Sequence, residues 1–351
     1  MVVGKKIVVF DAGIPQLIDN KLFNRKEAGK VSHTILPICY LFEQTAKQDI
    51  TMMTSDVYFK NYNDQPALLI SALYGPDSKK LIEAGVKPVI LTCLESPFIA
   101  TRFYLNLKKI SKLYKHSFVF SGMKKQLSGK TVYHQMFFPQ PFNLYDYPSV
   151  DYDDKFFLVA VTSAKGIEKF KGHIKSFLLN LFYDGGIKEI YSERTRAINY
   201  FSNQAGFDLY GYGWDKVKSE NLNGEAIRKC YRGTIDDKLA VLNKYRFALC
   251  CENAVFSGYI TEKIFDVMNA GCVPIYCGTS DIKNFVPAGC FIDKRNFGSY
   301  KELHDFLLKI DKDEYNKYLN SIKNYLNSDE YKKFTQEYFA EQIITILKKE
   351  F

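Results

Sequence analysis

The feature that most constrains the fold of this chain is a repeated alternation of short apolar runs with segments of helical length. A short apolar run between polar residues is typical of a buried strand, and strands that alternate with helices predict parallel βα units. In the first part of the chain the predicted strands are Lys6–Phe10, Ile50–Thr54, Ala67–Leu73, Val89–Leu94 and Ser117–Phe120, and the predicted helices include Thr34–Gln48 and Ser78–Ala84.

A loop-like stretch rich in Pro, Asn, Tyr and Asp, Pro139–Tyr152, interrupts this alternation and is the best candidate for a linker. We therefore predict two α/β domains, residues 1–150 and 151–328, with a ligand-binding cleft between them at the carboxyl ends of the strands. Residues 329–351 are expected to form a C-terminal helix that packs on the body through an apolar stripe. The predicted elements after the linker are strands Phe156–Val161, Phe207–Tyr210, Tyr245–Cys250 and Cys272–Tyr276 and helices Ile167–Phe182, Arg194–Ser202 and Glu262–Ala270.

Composition excludes several classes of protein. With 46% hydrophobic and 25% charged residues, the chain is not expected to be disordered, collagenous or a coiled coil. Its eight cysteines and five histidines show no CxxC, no HxxxH and no other zinc spacing, so we predict neither disulfides nor zinc. The apolar run after the first two lysines is too short for a signal peptide, and no run could span a membrane. We expect a cytoplasmic location.

The segment over residues 244–278 brings polar residues to the end of a strand. The predicted strand Tyr245–Cys250 delivers Glu252 and Asn253 at its carboxyl end, and Gly258 permits a turn. Thr261 is a good N-cap for the helix that follows. This helix is expected to bury Ile264, Val267 and Met268 and to end at Gly271.

Glu262 and Lys263 then stand in the first turn of that helix. A lysine is unfavourable there, because the N-terminus of a helix is already positive. It becomes favourable when an anion such as a diphosphate docks on the free backbone N–H groups and the ammonium together. The alternative, a solvated lysine beside an ordinary capping glutamate, stays open from spacing alone.

Three motifs follow one another in this segment: Cys251-Glu252-Asn253, Tyr259-Ile260-Thr261-Glu262-Lys263 and Ala270-Gly271-Cys272-Val273-Pro274-Ile275, with a weaker continuation through Phe285-Val286-Pro287 and Phe291-Ile292. Together they resemble the signature of glycosyltransferase family 10, the α1,3/4-fucosyltransferases. Cys251 stands where that family usually has Phe, which is expected to alter packing more than chemistry.

Two further stretches are similar to the same family. Glu95-Ser96-Pro97 resembles its Glu-Ser-Pro element, and Val161-Thr162-Ser163-Ala164 resembles the start of its donor-binding half. The stretches from Glu193 to Ile198 and from Phe207 to Gly211 are part of the same resemblance to the donor-binding half. The first eighty-odd residues match only as generic βα architecture.

The resemblance implies a GT-B fold, two Rossmann-like α/β domains facing a cleft, and inverting transfer from a GDP-fucose donor. Glu95 would then be the general base that takes the proton of the acceptor hydroxyl. Lys263 and an arginine would stabilise the leaving GDP. Spacing back from Tyr210-Gly211 favours Arg194 over Arg196 for that arginine, and both stay open.

The same resemblance assigns the remaining donor-binding residues. Tyr259 and Glu262 would hold the sugar portions of the donor, with Glu252 and Asn253 supporting them, and Ser163 would belong to the donor-binding half. Asn253 has an alternative as an ordinary turn residue after a strand.

A metal ion is the other means of stabilising a leaving diphosphate. The dense acidic cluster Asp151–Asp154 could be mistaken for a metal-binding Asp-x-Asp motif, but its place in the linker favours a solvated charge run. Since Lys263 and Arg194 can supply the positive charge, we predict no required metal and no cofactor beyond the GDP-fucose donor substrate.

The net charge of +9 is concentrated in one stretch. Residues 96–145 contain no Asp or Glu, which predicts an electropositive rim on the acceptor half. Such a rim would favour an anionic or lipid-linked glycan acceptor or a peripheral membrane surface, although solvated lysines are the ordinary alternative. No nucleic-acid motif accompanies it, and we expect no nucleic-acid partner. The cations are Arg102, Lys108, Lys109, Lys112, Lys115, Lys124, Lys125 and Lys130.

These observations favour an α1,3-fucosyltransferase-like enzyme of glycan biosynthesis. Two alternatives remain at this stage: a family 10-like transferase that uses another nucleotide sugar, because diphosphate-binding elements do not identify the hexose, and a protein that binds nucleotide or glycan without turnover. The glutamate at position 95 argues against the second.

Overall fold

The computed structural model of this protein describes residues 5–141, 150–164, 179, 181, 183, 186–217 and 222–351. Its internal contacts divide the chain into two compact units. Unit 1 contains residues 1–143 and 332–351, and unit 2 contains residues 144–331. Each unit is organised around a parallel sheet, so the predicted α/β fold class is confirmed.

Unit 1 is built on a six-stranded sheet in the order β2-β1-β3-β4-β5-β6, and every neighbouring pair is parallel. The sheet confirms the five strands predicted here and adds β6, a half-exposed edge strand whose polar sequence gave no apolar run. The strands are β1 (Lys6–Asp11), β2 (Ile50–Met53), β3 (Ala67–Ala72), β4 (Lys87–Thr92), β5 (His116–Val119) and β6 (Val132–Gln135).

Helices connect these strands, as the βα pattern requires. The predicted helix over Thr34–Gln48 begins with a 3₁₀ turn and continues as α2, and the helix predicted over Ser78–Ala84 is α4, which starts two residues earlier at a proline. The helices are α1 (Arg25–Val31), α2 (Leu36–Ala46), α3 (Ser55–Asn61), α4 (Pro76–Glu83), α5 (Thr101–Leu105) and α6 (Leu107–Ser111).

Unit 2 holds a five-stranded parallel sheet in the order β13-β12-β10-β7-β9. A short antiparallel pair, β8 with β11, stands beside it. The strands are β7 (Phe156–Val161), β8 (Lys188–Glu189), β9 (Phe207–Tyr210), β10 (Tyr245–Cys251), β11 (Ala254–Val255), β12 (Val273–Cys277) and β13 (Ile292–Asp293).

The helices of unit 2 cover this sheet and bury its apolar residues. Ile198 and Phe201 of α7 and Leu303 of α11 pack in one cluster with Leu158 of β7 and Phe247 of β10, all almost fully buried. Burying each such side chain contributes about 1.5–3 kcal/mol. The helices are α7 (Tyr191–Phe201), α8 (Gly224–Cys230), α9 (Lys238–Leu242), α10 (Glu262–Asn269), α11 (Tyr300–Leu307) and α12 (Lys312–Leu326).

Two sequence predictions fall outside the described residues in whole or in large part. The helix predicted over Ile167–Phe182 lies there except for residues 179 and 181, and so do residues 142–149 of the predicted linker.

The C-terminal region forms two helices, α13 (Asp329–Lys332) and α14 (Gln336–Glu350). The second begins at Thr335, whose side chain accepts a hydrogen bond from the backbone N–H of Tyr338 at 3.2 Å. The apolar stripe of α14 is buried in unit 1, where this helix packs against α2 and β4. No helix in the described part of the chain is both long and apolar enough to cross a membrane.

Candidate active site

A cavity of about 230 Å³ opens in unit 2 at the carboxyl ends of β7 and β10. These strands are neighbours in the sheet although β9 lies between them in sequence, so the chain reverses its direction of strand addition at this point. Open α/β sheets bind ligands at such switch points. Polar residues that line the cavity are Thr162, Ser163, Arg194, Lys238, Asn253, Glu262 and Lys263.

The segment after β10 folds as its sequence predicts. Gly258 adopts a φ of +73° and Gly271 a φ of +63°, both in the left-handed region that glycine tolerates best. Between them, α10 buries Ile264, Val267 and Met268. The turn brings the start of α10 back to the end of β10, which sets Lys263 on the cavity wall.

Lys263 lies among oxygen atoms from three residues. Its Nζ is 3.3 Å from Glu252 Oε2, 3.3 Å from Glu262 Oε1 and 2.9 Å from Thr261 Oγ1. Burial opposes the charged form, but the carboxylates of Glu262 and Glu252 outweigh it, so the pKa of Lys263 is raised well above its usual value. Lys263 is therefore a fixed, paired cation, and the interpretation of a merely solvated lysine is wrong.

Thr261 occupies the N-cap position of α10, as predicted, but its hydroxyl does not cap the helix. The hydroxyl donates to Glu252 Oε2 at 2.7 Å, and the backbone N–H of Thr261 donates to Glu252 Oε1 at 2.9 Å. Glu252 is fully buried, and burial raises its pKa against the opposing effects of Lys263 and Thr261. Its carboxylate thus anchors the start of α10 from the end of β10.

Gly278 leaves the space that Glu252 occupies. A Cβ atom at residue 278 would lie 2.8 Å from Glu252 Cγ and 2.2 Å from the hydroxyl oxygen of Tyr276. The end of β12 therefore needs a glycine for Glu252 to reach Thr261 and Lys263.

The two candidate arginines stand in different surroundings. Arg194, on α7, is half-buried and lines the cavity, with its guanidinium 4.7 Å from the ring centroid of Tyr191. Burial lowers its pKa, although an arginine remains charged. Arg196 is exposed and forms an ion pair with Glu193 of the same helix. The geometry thus brings Arg194, and not Arg196, to the cavity lined by Lys263.

Lys238 is a third cation at the cavity that the sequence analysis missed. Its Nζ is 2.7 Å from Oδ2 of the fully buried Asp266 on α10. Burial opposes the charge of Lys238, but Asp266 outweighs it and raises its pKa. A signal existed in the sequence: a helix leading into a parallel strand begins near the carboxyl edge of the sheet, and Lys238 is the first residue of the helix before β10.

The remaining predicted donor residues divide into two groups. Ser163, Asn253 and Glu262 line the cavity, and the pKa of Glu262 is lowered because Lys263 and Lys238 outweigh the effect of its burial. Glu252 and Tyr259 do not belong to the lining. The ring of Tyr259 is buried behind it, stacked on Phe256 with 4.5 Å between centroids.

The end of β7 approaches the end of β9 through Gly211. A Cβ atom there would lie 2.0 Å from the carbonyl oxygen of Thr162, and the φ of Gly211 is +133°. The indole N–H of Trp214 donates to the same carbonyl oxygen at 2.6 Å. These contacts fix the backbone next to Ser163, whose predicted place in the donor-binding half coincides with the cavity wall.

Glu95 lies in unit 1, three residues beyond the carboxyl end of β4, and its side chain is exposed. The hydroxyl of Tyr104, on α5, donates to the carbonyl oxygen of Glu95 at 2.8 Å. The thiol of Cys93 approaches the same oxygen at 3.7 Å. The backbone of this loop is therefore anchored while the carboxylate remains accessible to solvent.

The acidic cluster Asp151–Asp154 is an exposed 3₁₀ turn that contacts a lysine. Lys312 Nζ lies 2.7 Å from Asp151 Oδ1 and 3.4 Å from Asp153 Oδ2. The hydrogen bond from Lys312 lowers the pKa of Asp151. Among the described residues, no three His, Cys, Asp or Glu side chains converge as metal ligands would.

The whole fold resembles glycosyltransferases of the GT-B class. A crystal structure of an α1,3-fucosyltransferase matches at a TM-score of 0.50 with 16% identity, covering 98% of this chain and 90% of that one. Anabaena HepE in complex with UDP matches at a TM-score of 0.58 with 11% identity, covering 98% and 100%. An α-glucosyltransferase in complex with UDP matches at 0.55 with 11% identity, covering 97% and 99%. These similarities define the fold as GT-B.

Sequence comparison shows which family this chain resembles. Residues 188–348 match the model described as glycosyltransferase family 10 (fucosyltransferase) C-term. An Arabidopsis thaliana alpha-(1,4)-fucosyltransferase is 39% identical over 72 residues, 20% of this chain and 18% of that protein. The 4-galactosyl-N-acetylglucosaminide 3-alpha-L-fucosyltransferase 9 of Mus musculus is 34% identical over 113 residues, 30% of this chain and 32% of that protein. The predicted resemblance to glycosyltransferase family 10 is therefore confirmed for residues 188–348, and the matched segments span less than a third of either of these curated relatives.

Proposed function

We propose that this protein transfers fucose from GDP-fucose to a glycan hydroxyl, with inversion at the anomeric carbon and formation of an α1,3 linkage. The observation that carries the proposal is the convergence of Arg194, Lys238 and Lys263 on one cavity, inside the region that matches the family model. Three cations at the carboxyl ends of parallel strands suit a nucleoside diphosphate.

Stabilising the leaving GDP is the first task in this chemistry, because negative charge develops on the diphosphate as the glycosidic bond breaks. Lys263 and Lys238 are held in place by Glu252, Glu262 and Asp266, so their charges need little reorganisation during the reaction. We assign Lys263 and Arg194 to the diphosphate, with Lys238 beside them. Glu262, Tyr259, Glu252, Asn253 and Ser163 are proposed to hold the donor directly or through these cations.

Glu95 is proposed as the general base. Inversion requires a group that removes the proton of the acceptor hydroxyl as the new bond forms on the face opposite the leaving group. Glu95 offers an exposed carboxylate on an anchored loop at the carboxyl edge of its own sheet. No metal is required in this proposal, because the cations of unit 2 balance the charge of the diphosphate.

The proposal is tested by incubating the full chain with GDP-fucose, GDP-mannose or UDP-galactose and an N-acetyllactosamine acceptor, followed by linkage analysis of the product. Transfer from GDP-fucose alone, with an α1,3 linkage, is the expected result. Transfer from another donor, together with tighter binding of UDP than GDP, would identify a transferase of different specificity. If the protein binds GDP but neither hydrolyses GDP-fucose nor transfers fucose to any glycan acceptor, it is a nucleotide-binding protein without turnover.

The acceptor and the cellular location belong to the proposal as well. The basic stretch of unit 1 favours an anionic or lipid-linked acceptor, and the buried cysteines, all unpaired, suit a reducing, cytoplasmic compartment. If the acceptor is anionic, we expect its KM to rise with salt for acidic glycans and to stay constant for neutral ones.

A further inference from the structure

The cations of the acid-free stretch occupy opposite ends of the sheet in unit 1. Since all six strands are parallel, their starts share one end and their ends share the other. Arg102, Lys124 and Lys125 follow the carboxyl ends of β4 and β5. Lys112 and Lys115 precede β5, and Lys130 precedes β6, which places them at the amino end.

Further lysines join the amino end from other parts of the chain. Lys87 is the first residue of β4, and Lys348 and Lys349 lie in the last turn of α14. Glu350 ties these segments together: its Oε1 is 2.6 Å from Lys115 Nζ and its Oε2 is 2.9 Å from Lys87 Nζ. The side chain of Glu350 is only 2% exposed, so its negative charge is covered by the lysines around it.

Apolar side chains are exposed among these lysines. Leu113 is 44% exposed, Val132 is 50% exposed and Phe351 is 45% exposed. The backbone N–H of Val132 donates to the carbonyl oxygen of Lys115 at 2.8 Å, which brings Val132 beside the loop that holds Leu113. Phe351 directly follows Glu350. We call this surface the amino-end patch; its members are Lys87, Lys112, Leu113, Lys115, Lys130, Val132, Lys348, Lys349 and Phe351.

We propose that the amino-end patch docks unit 1 on an anionic lipid bilayer. Lysines near a bilayer surface are attracted by acidic headgroups, and exposed Leu, Val and Phe side chains can enter the boundary between headgroups and acyl chains. A purely solvated face does not need this apolar component. Glu95 lies at the opposite end of the same sheet, so this contact leaves its carboxylate accessible. The inference extends beyond the transfer reaction and does not depend on the donor.

The test is sedimentation of the full chain with phosphatidylcholine vesicles that contain or lack phosphatidylserine. We expect binding only to vesicles with phosphatidylserine, and weaker binding as salt rises. Lys112→Glu/Lys130→Glu/Lys349→Glu should reduce the partition coefficient at least about tenfold. Arg102→Glu/Lys124→Glu/Lys125→Glu changes the net charge by the same amount at the other end of the sheet and should bind nearly as wild type does.

A second variant tests the apolar component. Leu113→Ser/Val132→Thr keeps every charge, and we expect it to bind phosphatidylserine vesicles several-fold less tightly. Thermal unfolding confirms that each variant is folded, and all the substituted positions are exposed. Failure of wild type to bind, equal losses in both charge triples, or full binding by the apolar variant would each overturn the proposal as stated; the last would show that the patch binds anionic vesicles by charge alone.

Discussion

Lys263 and Glu252 form an ion pair at the wall of the cavity, with 3.3 Å between Lys263 Nζ and Glu252 Oε2. The lysine is in the first turn of α10 and the glutamate follows the end of β10, so the pair links a helix start to a strand end. A lysine in the first turn of a helix is electrostatically unfavourable by itself. The carboxylates of Glu252 and Glu262 offset that electrostatic cost. The Lys263 side chain also lines the cavity, where the negative charge of a bound diphosphate would stabilise the ammonium further.

Replacing Lys263 with Met should weaken GDP binding at least tenfold, since charge-assisted contacts are worth about 1.5–3 kcal/mol. Isothermal titration calorimetry measures this change. The variant also leaves Glu252 buried without its cation, so stability must be separated from binding. Adding Glu252→Gln should recover thermal stability but not GDP affinity. Lys312→Met, at an exposed lysine of the same unit, is the matched control and should bind GDP normally. Unchanged affinity in folded Lys263→Met would remove Lys263 from the diphosphate site.

Arg194 and Arg196 provide a paired test on one helix. Arg194→Gln should reduce GDP affinity by about 1.5–3 kcal/mol, because Arg194 lines the cavity. Arg196→Gln removes an exposed ion pair with Glu193 and should change GDP affinity little. Calorimetric titration of both variants decides the assignment, and the reverse order of effects would give the phosphate role to Arg196.

The fold was largely predictable because its signals are local. The strand runs of β7 and β9 are bounded by polar residues and turns, and the structure has both with the predicted limits. Strand β6 and the short helices α1 and α3 were missed, since a half-exposed edge strand and one or two helical turns give little periodicity. The pairing order of the strands, which creates the cavity between β7 and β10, is a long-range property that no single run encodes.

The candidate site was predictable in part, for a related reason. Lys263, Glu262 and Asn253 lie within one contiguous segment whose strand, turn and helix are visible in the sequence. Lys238 was missed because a short helix of five residues gives little periodicity to mark its start, and because the contact with Asp266, 28 positions further along the chain, is invisible to spacing. The separation of Tyr259 from the cavity lining depends on its stacking against Phe256, and such packing is likewise invisible to spacing.

Activity without metal ions is the direct test of whether protein cations stabilise the leaving diphosphate. If Arg194, Lys238 and Lys263 carry the charge balance, the initial rate of transfer should be unchanged in excess EDTA. Asp151→Asn/Asp153→Asn should also leave the rate unchanged, because these carboxylates contact Lys312 at the surface. Loss of activity with chelator and its recovery with Mn²⁺ or Mg²⁺ would show that a metal does part of this work.

Glu193 should make unit 2 sensitive to acid. Burial opposes its ionisation, but hydrogen bonds from Tyr300, Arg196 and Lys294 outweigh it and lower its pKa to about 2. The unfolded chain takes up this proton near pH 4.5, so the carboxylate stabilises the folded state above that pH, and the contribution is lost as pH falls from about 4.5 to about 2.

Glu193→Gln should remove this pH dependence. We expect the wild type to lose about 2 kcal/mol more than the variant across that window, after allowance for partial exposure. Urea unfolding at a series of pH values measures the difference. Glu225→Gln, at an exposed glutamate paired only through the surface lysine Lys229, is the control and should follow the wild-type profile. Parallel profiles for Glu193→Gln and wild type would contradict the assignment.

Glu95→Gln is the variant that tests the chemical step. Glutamine keeps the size of the side chain and much of its hydrogen bonding but removes its basicity, so the loss should fall on kcat. General-base catalysis is typically worth about 10²–10⁴-fold, and we expect at least the lower figure in steady-state transfer from GDP-fucose. GDP affinity should barely change, because the donor cavity is formed by residues of unit 2. Glu83→Gln, at another exposed glutamate of unit 1, should keep full activity. Near-normal turnover by Glu95→Gln would mean that another carboxylate is the base, whereas an equal loss of GDP binding would mean that Glu95 has a structural role.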